Sequence, residues 1–412
     1  MSASQKRLVP IVYHFFPHYR AGVNHELVRS QKYDFLFVGS RIALSGNGIK
    51  EWSPPNGVKF LATKLTHPFG RGLFQSHVIR LALRHDIHSI IFLGCAEFTT
   101  TWIAAACARL TGKRVYFWTH GWTESDHGLK KYIRIAFYRL ANALLLYGHH
   151  AKKIGLNCGF SSDRMHVIYN SLDYDAQITA RSTVKHEELS AIRASFFSAQ
   201  ATRPLLICTG RLVPMRQLEL LLAAMEHLAE EGFPVNLLLI GDGPSKLALQ
   251  SQAERSGLAV HFYGACYDEA LLARFFMGAD LLVMPGRIGL AAMHSLAYGT
   301  PVIVHDNPDD QGPEWEAIIP GYNGARFAHA DSRDLARAIR QWLENSTDRQ
   351  LTRARCYEVL ERFYNPVTQA ILIERALDGH QADDSIWDKF CQSRPAAPQE
   401  KSESELVKKG AT

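Results

Sequence analysis

Short apolar runs recur along the whole chain, and between them apolar residues return every three or four positions. The runs are rich in leucine, β-branched and aromatic residues, which predicts strands of parallel sheets buried on both faces. The segments between the runs predict helices. In the first half the predicted strands are Val9–Tyr13, Phe35–Val38, Val58–Ala62, Ile90–Leu93, Val115–Trp118, Leu144–Tyr147 and Val167–Tyr169. In the second half they are Leu205–Cys208, Asn236–Ile240, Val260–Phe262, Leu281–Met284 and Val302–Val304.

Two sets of alternating strands and helices predict an α/β protein with two doubly wound parallel-sheet domains, in which ligands bind beyond the carboxyl ends of the strands. Changes in composition give the boundaries. We predict an N-terminal domain over residues 1–176, a linker over 177–203, a C-terminal domain over 204–365, a helix over 366–379 and a disordered tail over 380–412. The tail is mostly charged and polar, so it buries too little apolar surface to offset the entropy of ordering.

A chain of 412 residues suits two domains. The seven cysteines are scattered without a close C-x-x-C pair, which argues against a zinc site or a disulfide framework and favours the cytoplasm. The net charge of +6 suits phosphate-bearing ligands or an anionic membrane surface, and we expect no nucleic acid. The basic helix "LKKYIRIAFYRLANALLLY" is a candidate for peripheral membrane contact, with a packed, solvated helix as the alternative.

Three strand-to-helix turns in the second half are candidate anion sites. Arg211 and Arg216 flank the turn after the strand in "LLICTGRLVPMR", where two guanidiniums could clamp a diphosphate; two solvated arginines are the alternative. The glycines of "GDGP" permit a tight turn near a ligand, or only a plain turn. In "MPGRIGLAAMHSLAYGTPVI", the amides of Gly289, Leu290 and Ala291 begin a helix and form an anion site.

Four further side chains are candidates for contact with a sugar or ribose. His294 lies one turn along the helix that begins at Leu290, and a structural histidine is the alternative. Glu314 and Glu316 in "PEWE" could bind hydroxyls, and Glu316 could equally cap the helix that follows. In the first half, His120 and Gly121 follow the strand of "RVYFWTHG", where a histidine facing the cleft could titrate near neutrality; a satisfied strand-end histidine is the alternative.

These segments together resemble the retaining glycosyltransferases of family 4, which have the two-domain GT-B architecture. The resemblance rests on "GRLVPMR", "GDGP", "HFYG", "MPGRIGLAAMHSLAYGTPVI" and "PEWEAIIPGYNG" in this order, and on "VIYNSLD" at the end of the first domain. The family usually holds two glutamates in the strand-turn-helix segment, at positions occupied here by Gly286 and His294. The chain therefore resembles a variant branch, in which His294 replaces the acid that binds the ribose.

The resemblance implies transfer of a hexose-type sugar from a UDP- or GDP-sugar to a saccharide or lipid-linked saccharide, as in bacterial surface polysaccharide synthesis, without a metal or other cofactor. It assigns catalysis to His120, Arg211 and Arg216. It assigns donor binding to Gly121, Gly210, Asp242, Gly243, Gly289, Leu290, Ala291, His294, Glu314 and Glu316. Because the glutamates are missing, a catalytically silent nucleotide-sugar-binding protein stays open. So does a hydrolysing sugar-nucleotide epimerase of the same architecture.

Overall fold

The computed structural model describes residues 6–41, 50–67, 72–122, 127–346 and 348–394, without the side chains of His186 and Ala199. A seven-stranded parallel sheet forms the first domain, in the order β3-β2-β1-β6-β7-β8-β9. The strands are β1 Arg7–Phe15, β2 Tyr33–Ser40, β3 Phe60–Ala62, β4 Leu65–Thr66, β5 Phe74–Gln75, β6 Ser89–Leu93, β7 Arg114–Thr119, β8 Ala143–Leu146 and β9 Met165–Val167, of which β4 and β5 form a separate antiparallel pair. The helices are α1 Ala21–Val28, α2 Val78–Ala82, α3 Thr99–Leu110, α4 Gly128–Tyr138 and α5 His149–Asn157.

Helices cover both faces of this sheet because successive residues of each strand point to opposite sides. Tyr116 and Trp118 of β7 pack with α1 on one face. Phe117 between them packs with α2 to α5 on the other. Burial on both faces explains why the strands have continuous apolar sequences.

The second domain is a six-stranded parallel sheet in the order β12-β11-β10-β13-β14-β15. Its strands are β10 Leu205–Thr209, β11 Asn236–Ile240, β12 Val260–Gly264, β13 Leu281–Met284, β14 Val302–His305 and β15 Gly324–Phe327. Helices α6 Tyr174–Ser182 and α7 His186–Phe197 lead into it. Its own helices are α8 Leu218–Glu230, α9 Lys246–Arg255, α10 Glu269–Gly278, α11 Ala291–Ala297, α12 Ser332–Asn345 and α13 Arg349–Arg362.

All twelve predicted strands are present, with ends within two residues of the predicted ones. The sequence pattern missed β15, whose four residues, Gly-Ala-Arg-Phe, contain too few apolar positions to stand out. It also missed the short pair β4 and β5. The predicted boundary at residue 176 falls inside α6, and the predicted linker consists largely of α6 and α7, which pack against α10.

Two further helices follow the second domain. The helix α14, Pro366–Leu377, returns to the first domain and buries Ala370 and Ile373 in the same cluster as α1. The next helix is α15, Ser385–Gln392, which lies within the stretch predicted to be disordered. That prediction is wrong for α15, because Trp387 and Phe390 are buried and give the polar segment an apolar anchor. Residues 395–412 of the predicted tail lie outside the described residues.

Trp387 attaches α15 to both domains. Its ring stacks on His149 of α5, with centroids 5.3 Å apart, and meets Phe363 edge-on at 4.8 Å. No helix in the described part of the chain combines the length and the apolar character needed to cross a membrane.

Candidate functional site

The loops that follow β10 and β11 interlock at the carboxyl edge of the second sheet. Gly210 donates its amide to the carbonyl oxygen of Ile240 at 2.9 Å, and Leu212 donates to Asp242 at 3.0 Å. A Cβ added to Gly243 would overlap the carbonyl oxygen of Leu212, so only glycine allows this approach. The Asp242 carboxylate is exposed and lies 3.5 Å from Lys246. The loop packing explains these residues locally, and donor binding by Gly210, Asp242 and Gly243 stays a prediction.

The two predicted diphosphate ligands have different surroundings. Arg211 is exposed, and within the described residues its guanidinium has no hydrogen bond or ion pair. Arg216 is partly buried and donates to the carbonyl oxygen of Arg287, while its Nε lacks a partner among the described residues. Burial lowers the pKa of Arg216, with a further contribution from the Arg287 cation. Both arginines therefore retain unused donors at the end of β10.

Arg287 is a third cation at this edge, and the sequence analysis missed it. It lies between Gly286 and Gly289 in the turn from β13 to α11 and lines a pocket between the two domains. Its guanidinium forms no hydrogen bond or ion pair in the part of the chain that the structure describes. The available signal was a basic residue directly after a buried strand, between two glycines.

Gly286 occupies the first glutamate position of the resemblance, and the packing there leaves no room for a side chain. Its amide donates to the carbonyl oxygen of Arg216 at 3.0 Å. A Cβ added to Gly286 would overlap the carbonyl oxygen of Met215 and lie 2.6 Å from the carbonyl carbon of Arg216. Since both contacts involve backbone, a glutamate would require the two loops to separate. The contact of Gly286 with the backbone of Met215 and Arg216 therefore requires glycine where the family pattern has glutamate.

The N-cap residue of α11 is Leu290, and no side chain caps this helix. Amides in the first turn of a helix have no partner within the helix, so those of Leu290 and Ala291 are suited to an anion. A Cβ added to Gly289 would meet no atom within 4 Å, so the approach to this turn is open. Contact of Gly289, Leu290 and Ala291 with phosphate stays a prediction.

His294, at the second glutamate position, has a carboxylate beside it that the sequence analysis missed. Its Nδ1 lies 3.2 Å from the amide nitrogen of Gln177 and 3.5 Å from Glu269 of α10. Burial alone would raise the pKa of Glu269, but hydrogen bonds from His294 and Tyr298 outweigh it and hold that pKa below its ordinary value. With Nδ1 facing these partners, Nε2 is the nitrogen left for a ligand. The predicted ribose contact is not tested by this geometry.

Glu314 and Glu316 connect the two domains. Glu314 is buried and accepts a hydrogen bond from Asn170 at 2.6 Å; burial raises its pKa, and Asn170 and the cations of Arg20 and Arg287 oppose the rise. Glu316 accepts from the amides of His149 at 2.6 Å and His150 at 2.7 Å. Glu316 thus caps α5 of the first domain.

The alternative that Glu316 caps the helix that follows it in sequence is not what the structure shows, since Asp331 caps α12. Burial raises the pKa of Glu316 to about 7, against the effect of the two amides of α5. Glu316 also lines the pocket between the domains. Donor binding by either glutamate remains a prediction.

His120 directly follows β7 and lines the same pocket. Its ring lies 4.7 Å from that of Tyr147. His120 is exposed at the surface of the cleft, yet desolvation by the protein around it, followed by the cations of Arg20 and Arg287, lowers its pKa to about 4. The expectation that it titrates near neutrality is therefore wrong, and the neutral ring offers one donor and one acceptor. The next residue, Gly121, has φ +78° and is buried, so it shapes the turn that presents His120.

Arg20 is the second cation that the sequence analysis missed. It ends the turn His18–Arg20 after β1, and its guanidinium lies 4.9 Å from the ring of Tyr13 and 5.1 Å from that of Trp118. It donates to the hydroxyls of Tyr13 and Tyr147. Among the described residues no carboxylate forms an ion pair with it, and its charge acts on His120, whose pKa it helps to lower.

The candidate site therefore comprises His120 and Arg287, which line the pocket, together with three further arginines and the uncapped start of α11. Arg20 and His120 come from the first domain. Arg211, Arg216, Arg287 and the helix start come from the second. The sequence named Arg211, Arg216 and His120. Arg20 lies in "FFPHYRAGVN", a loop without a recognised motif.

Comparison with known proteins gives a matching family for the second half. Residues 193–358 match the family model described as "Glycosyl transferases group 1". The glycogen synthase of Halorhodospira halophila is 35% identical over 151 residues, which are 35% of this chain and 31% of that protein. The GDP-mannose-dependent alpha-(1-6)-phosphatidylinositol dimannoside mannosyltransferase of Mycobacterium tuberculosis is 34% identical over 109 residues, covering 26% of this chain and 28% of that protein. The matched part thus spans about a third of the length of these curated relatives.

Solved structures resemble nearly the whole chain. Alr3699/HepE of Anabaena, in complex with UDP, superposes with a TM-score of 0.67 at 16% identity, covering 91% of this chain and 100% of that one. Sucrose-phosphate synthase from Thermosynechococcus elongatus gives 0.64 at 15% identity, covering 91% and 99%. At such low identity the likeness concerns the fold. The chain has the GT-B fold of two Rossmann-like domains, and its residues 193–358 match the group 1 glycosyl transferases.

Proposed function

We propose that this chain is a retaining glycosyltransferase of the family 4 type. It would move a hexose-type sugar from a nucleoside-diphosphate sugar to a saccharide or lipid-linked saccharide. One observation carries the proposal: the Arg287 guanidinium, without a carboxylate partner among the described residues, lines the pocket between the domains, and Arg216 and the uncapped start of α11 lie beside it. A diphosphate is the ligand that such a set of donors fits, because guanidiniums bind phosphate oxygens in pairs.

In this proposal the second domain binds the donor. Arg287 and Arg216 lie together at the turn before α11, where the helix start adds partial positive charge. Arg211 is free to reach the same ligand from the end of β10. As the bond from sugar to phosphate breaks, negative charge grows on the leaving diphosphate, and these cations stabilise it. In this proposal, arginine side chains of the protein neutralise the negative charge on the leaving diphosphate.

His120 would orient the sugar. Its pKa of about 4 makes it neutral at pH 7, so it does not act as a cation. A neutral imidazole can hold a sugar hydroxyl by donating or accepting a hydrogen bond. The reaction would retain configuration at the anomeric carbon, and the leaving diphosphate would take the proton of the acceptor hydroxyl. No carboxylate at position 286 is needed for this sequence of events.

The comparisons support a nucleotide donor without naming its base. The Anabaena protein is a complex with UDP, and the mycobacterial relative depends on GDP-mannose. UDP- and GDP-sugars are therefore the first donors to test. Synthesis of a bacterial surface polysaccharide is the setting we propose.

The exposed face of α4 suits an acceptor held at an anionic membrane. Leu129 is 75% exposed and Tyr132 is 69% exposed, and Lys130 and Lys131 lie between them. Apolar side chains flanked by lysines favour an anionic lipid interface. We propose that the first domain approaches its acceptor there.

A catalytically silent nucleotide-sugar binder is the second candidate. The observation that favours it is the loop contact at Gly286, which excludes the glutamate of the family pattern. Turnover separates the two: the purified chain should release nucleoside diphosphate from a UDP- or GDP-sugar only when a saccharide acceptor is present. Binding without release would support the silent protein. Release and isomerised sugar without acceptor would support an epimerase.

The first experiment is a thermal-shift panel with UDP, GDP, UDP-glucose, UDP-galactose, UDP-N-acetylglucosamine and GDP-mannose. A ligand that binds only the folded chain raises the melting temperature by mass action. No shift with any of the six at millimolar concentration would contradict the proposed function.

A further inference from the structure

Three potential metal ligands meet at the far edge of the second sheet. His305 is the last residue of β14, His329 lies just beyond β15, and Asp310 ends the turn Pro308–Asp310. Because β14 and β15 are parallel and His305 pairs with Phe327, both strands end at the same edge. One ligand atom from each of the three residues lies within 4.8 Å of the others. None of the three lines the pocket between the domains.

His305 is the observation that points to a ligand. Its side chain is 0% exposed, and neither Nδ1 nor Nε2 has a hydrogen-bond partner among the described residues. A buried polar group left unpaired costs about 1–3 kcal/mol. The indole nitrogen of Trp315 donates to the backbone oxygen of His305 at 3.0 Å, so the backbone is held while the ring is unpartnered. The ring of His329 lies 4.5 Å from it, centroid to centroid.

We propose that His305, Asp310 and His329 form a binding site for a divalent transition metal of the zinc type. Two imidazoles and one carboxylate suit zinc and its neighbours, whereas Mg²⁺ and Ca²⁺ prefer oxygen ligands alone. Ligand atoms that share one tetrahedral zinc lie about 3.3 Å apart, as follows from the zinc–ligand distances. His329 Nε2 and Asp310 Oδ2 are already 3.6 Å apart. The set contains no cysteine, so the spacing of cysteines could not reveal it.

The site would fix a turn that also touches the first domain. Asp309, next to Asp310, lies 3.1 Å from Nε2 of His150 in α5. Two neighbouring carboxylates of one short turn therefore have different partners: Asp309 faces the first domain and Asp310 the histidine pair. A metal held by Asp310 ties this turn to the ends of β14 and β15. The role is to position the domain contact and involves no step of sugar transfer.

The test is zinc binding by the purified full chain after treatment with EDTA and desalting. Titration calorimetry with ZnCl₂ should find one site per chain, and His329→Ala should weaken it by at least roughly tenfold. His329 is partly exposed, with 34% of its side chain accessible, so the variant should fold. The matched control is His227→Ala, which removes a histidine that also lies 3.6 Å from a carboxylate, that of Glu230, but has no third potential ligand among the described residues. Zinc affinity should be unchanged in that variant.

Cobalt gives a second readout. Co²⁺ bound to the native chain should absorb visible light, and both His329→Ala and Asp310→Asn should lose the band. Absence of a saturable zinc site, or equal zinc affinity in the native and His329→Ala chains, would overturn the proposal. Displacement of Co²⁺ by equimolar Mg²⁺ would also overturn it, because the ligand set favours transition metals.

Discussion

Replacing Arg287 with alanine tests the electropositive cleft at the arginine that lines the pocket between the domains. The guanidinium has no hydrogen bond or ion pair among the described residues, so its removal breaks neither kind of contact within the fold. The backbone contacts of this turn, from Gly286 to Arg216 and from Arg216 to the carbonyl of Arg287, do not depend on the Arg287 side chain. We therefore expect a folded variant with weaker binding of nucleoside diphosphate.

The magnitude follows from the contact that is lost. A hydrogen bond to a charged group contributes about 1.5–3 kcal/mol, and about 1.4 kcal/mol corresponds to a factor of ten in affinity. Loss of one such bond predicts roughly 10- to 150-fold weaker binding of UDP or GDP by titration calorimetry. Arg287→Lys keeps the charge but loses the planar pair of donors, so its affinity for the nucleotide should lie between that of the native chain and that of Arg287→Ala. Arg340→Ala is the control, since that arginine pairs with Glu344 and Glu231 on the surface.

A second readout of the same variant needs no ligand. Desolvation, then the Arg20 cation and then the Arg287 cation lower the pKa of His120 to about 4. In Arg287→Ala the pKa of His120 should rise, because one of the charges that oppose its protonation is gone. NMR titration of the imidazole measures this. Unchanged affinity for both nucleotides together with an unchanged pKa of His120 would refute the proposed cleft.

Three other changes test the loop contact, the domain cap and a buried histidine. Gly286→Ala should lower the free energy of unfolding by about 1–3 kcal/mol in urea, because the new Cβ overlaps backbone at Met215; the control Gly289→Ala, with no atom within 4 Å of its Cβ, should differ little. Glu316→Gln removes a carboxyl whose folded pKa of about 7 exceeds its ordinary 4.5, so the stability that this group adds is greatest below pH 4.5 and falls as pH rises to 7. The difference in free energy of unfolding between the native chain and Glu316→Gln should shrink from pH 4.5 to pH 7. A difference that stays constant would contradict the raised pKa of Glu316. Burial lowers the pKa of His166 from 6.5 to about 4. The stability of the folded chain that is linked to neutral His166 is therefore lost as pH falls through this window, by roughly 2–3 kcal/mol at pH 4.5. His166→Gln should unfold with a flatter pH dependence, as measured by thermal melting between pH 7 and 4.5.

The strands could be predicted because burial on both faces of a parallel sheet leaves continuous apolar runs. The strand β15 is the exception, since it lies at the edge of its sheet and pairs on one side only. The helix α15 was not predicted because only two aromatic side chains, Trp387 and Phe390, anchor an otherwise polar segment. Periodicity does not detect an element whose stability depends on a few long-range contacts.

The candidate site was predicted where its residues follow a strand in a recognised motif, as for Arg211, Arg216 and His120. Arg20 could not be predicted as a site residue because its surroundings come from three separate segments, with Tyr13, Trp118 and Tyr147 brought together by the sheet. The partner of Glu316 escaped because it lies in the other domain, 167 positions away along the chain. Local sequence carries a residue's type and position within its element, whereas its partners depend on the topology.

The return of α14 to the first sheet means that the N-terminal lobe is assembled from two distant pieces of chain. Ala370 and Ile373 complete its interior, and Asp378, just past that helix, forms ion pairs with Arg7 and Lys32. During synthesis, this lobe stays unfinished until the segment after residue 365 has left the ribosome. A fragment ending near residue 203 should expose the apolar surface that α14 covers and should aggregate, even though it contains every strand of the first sheet.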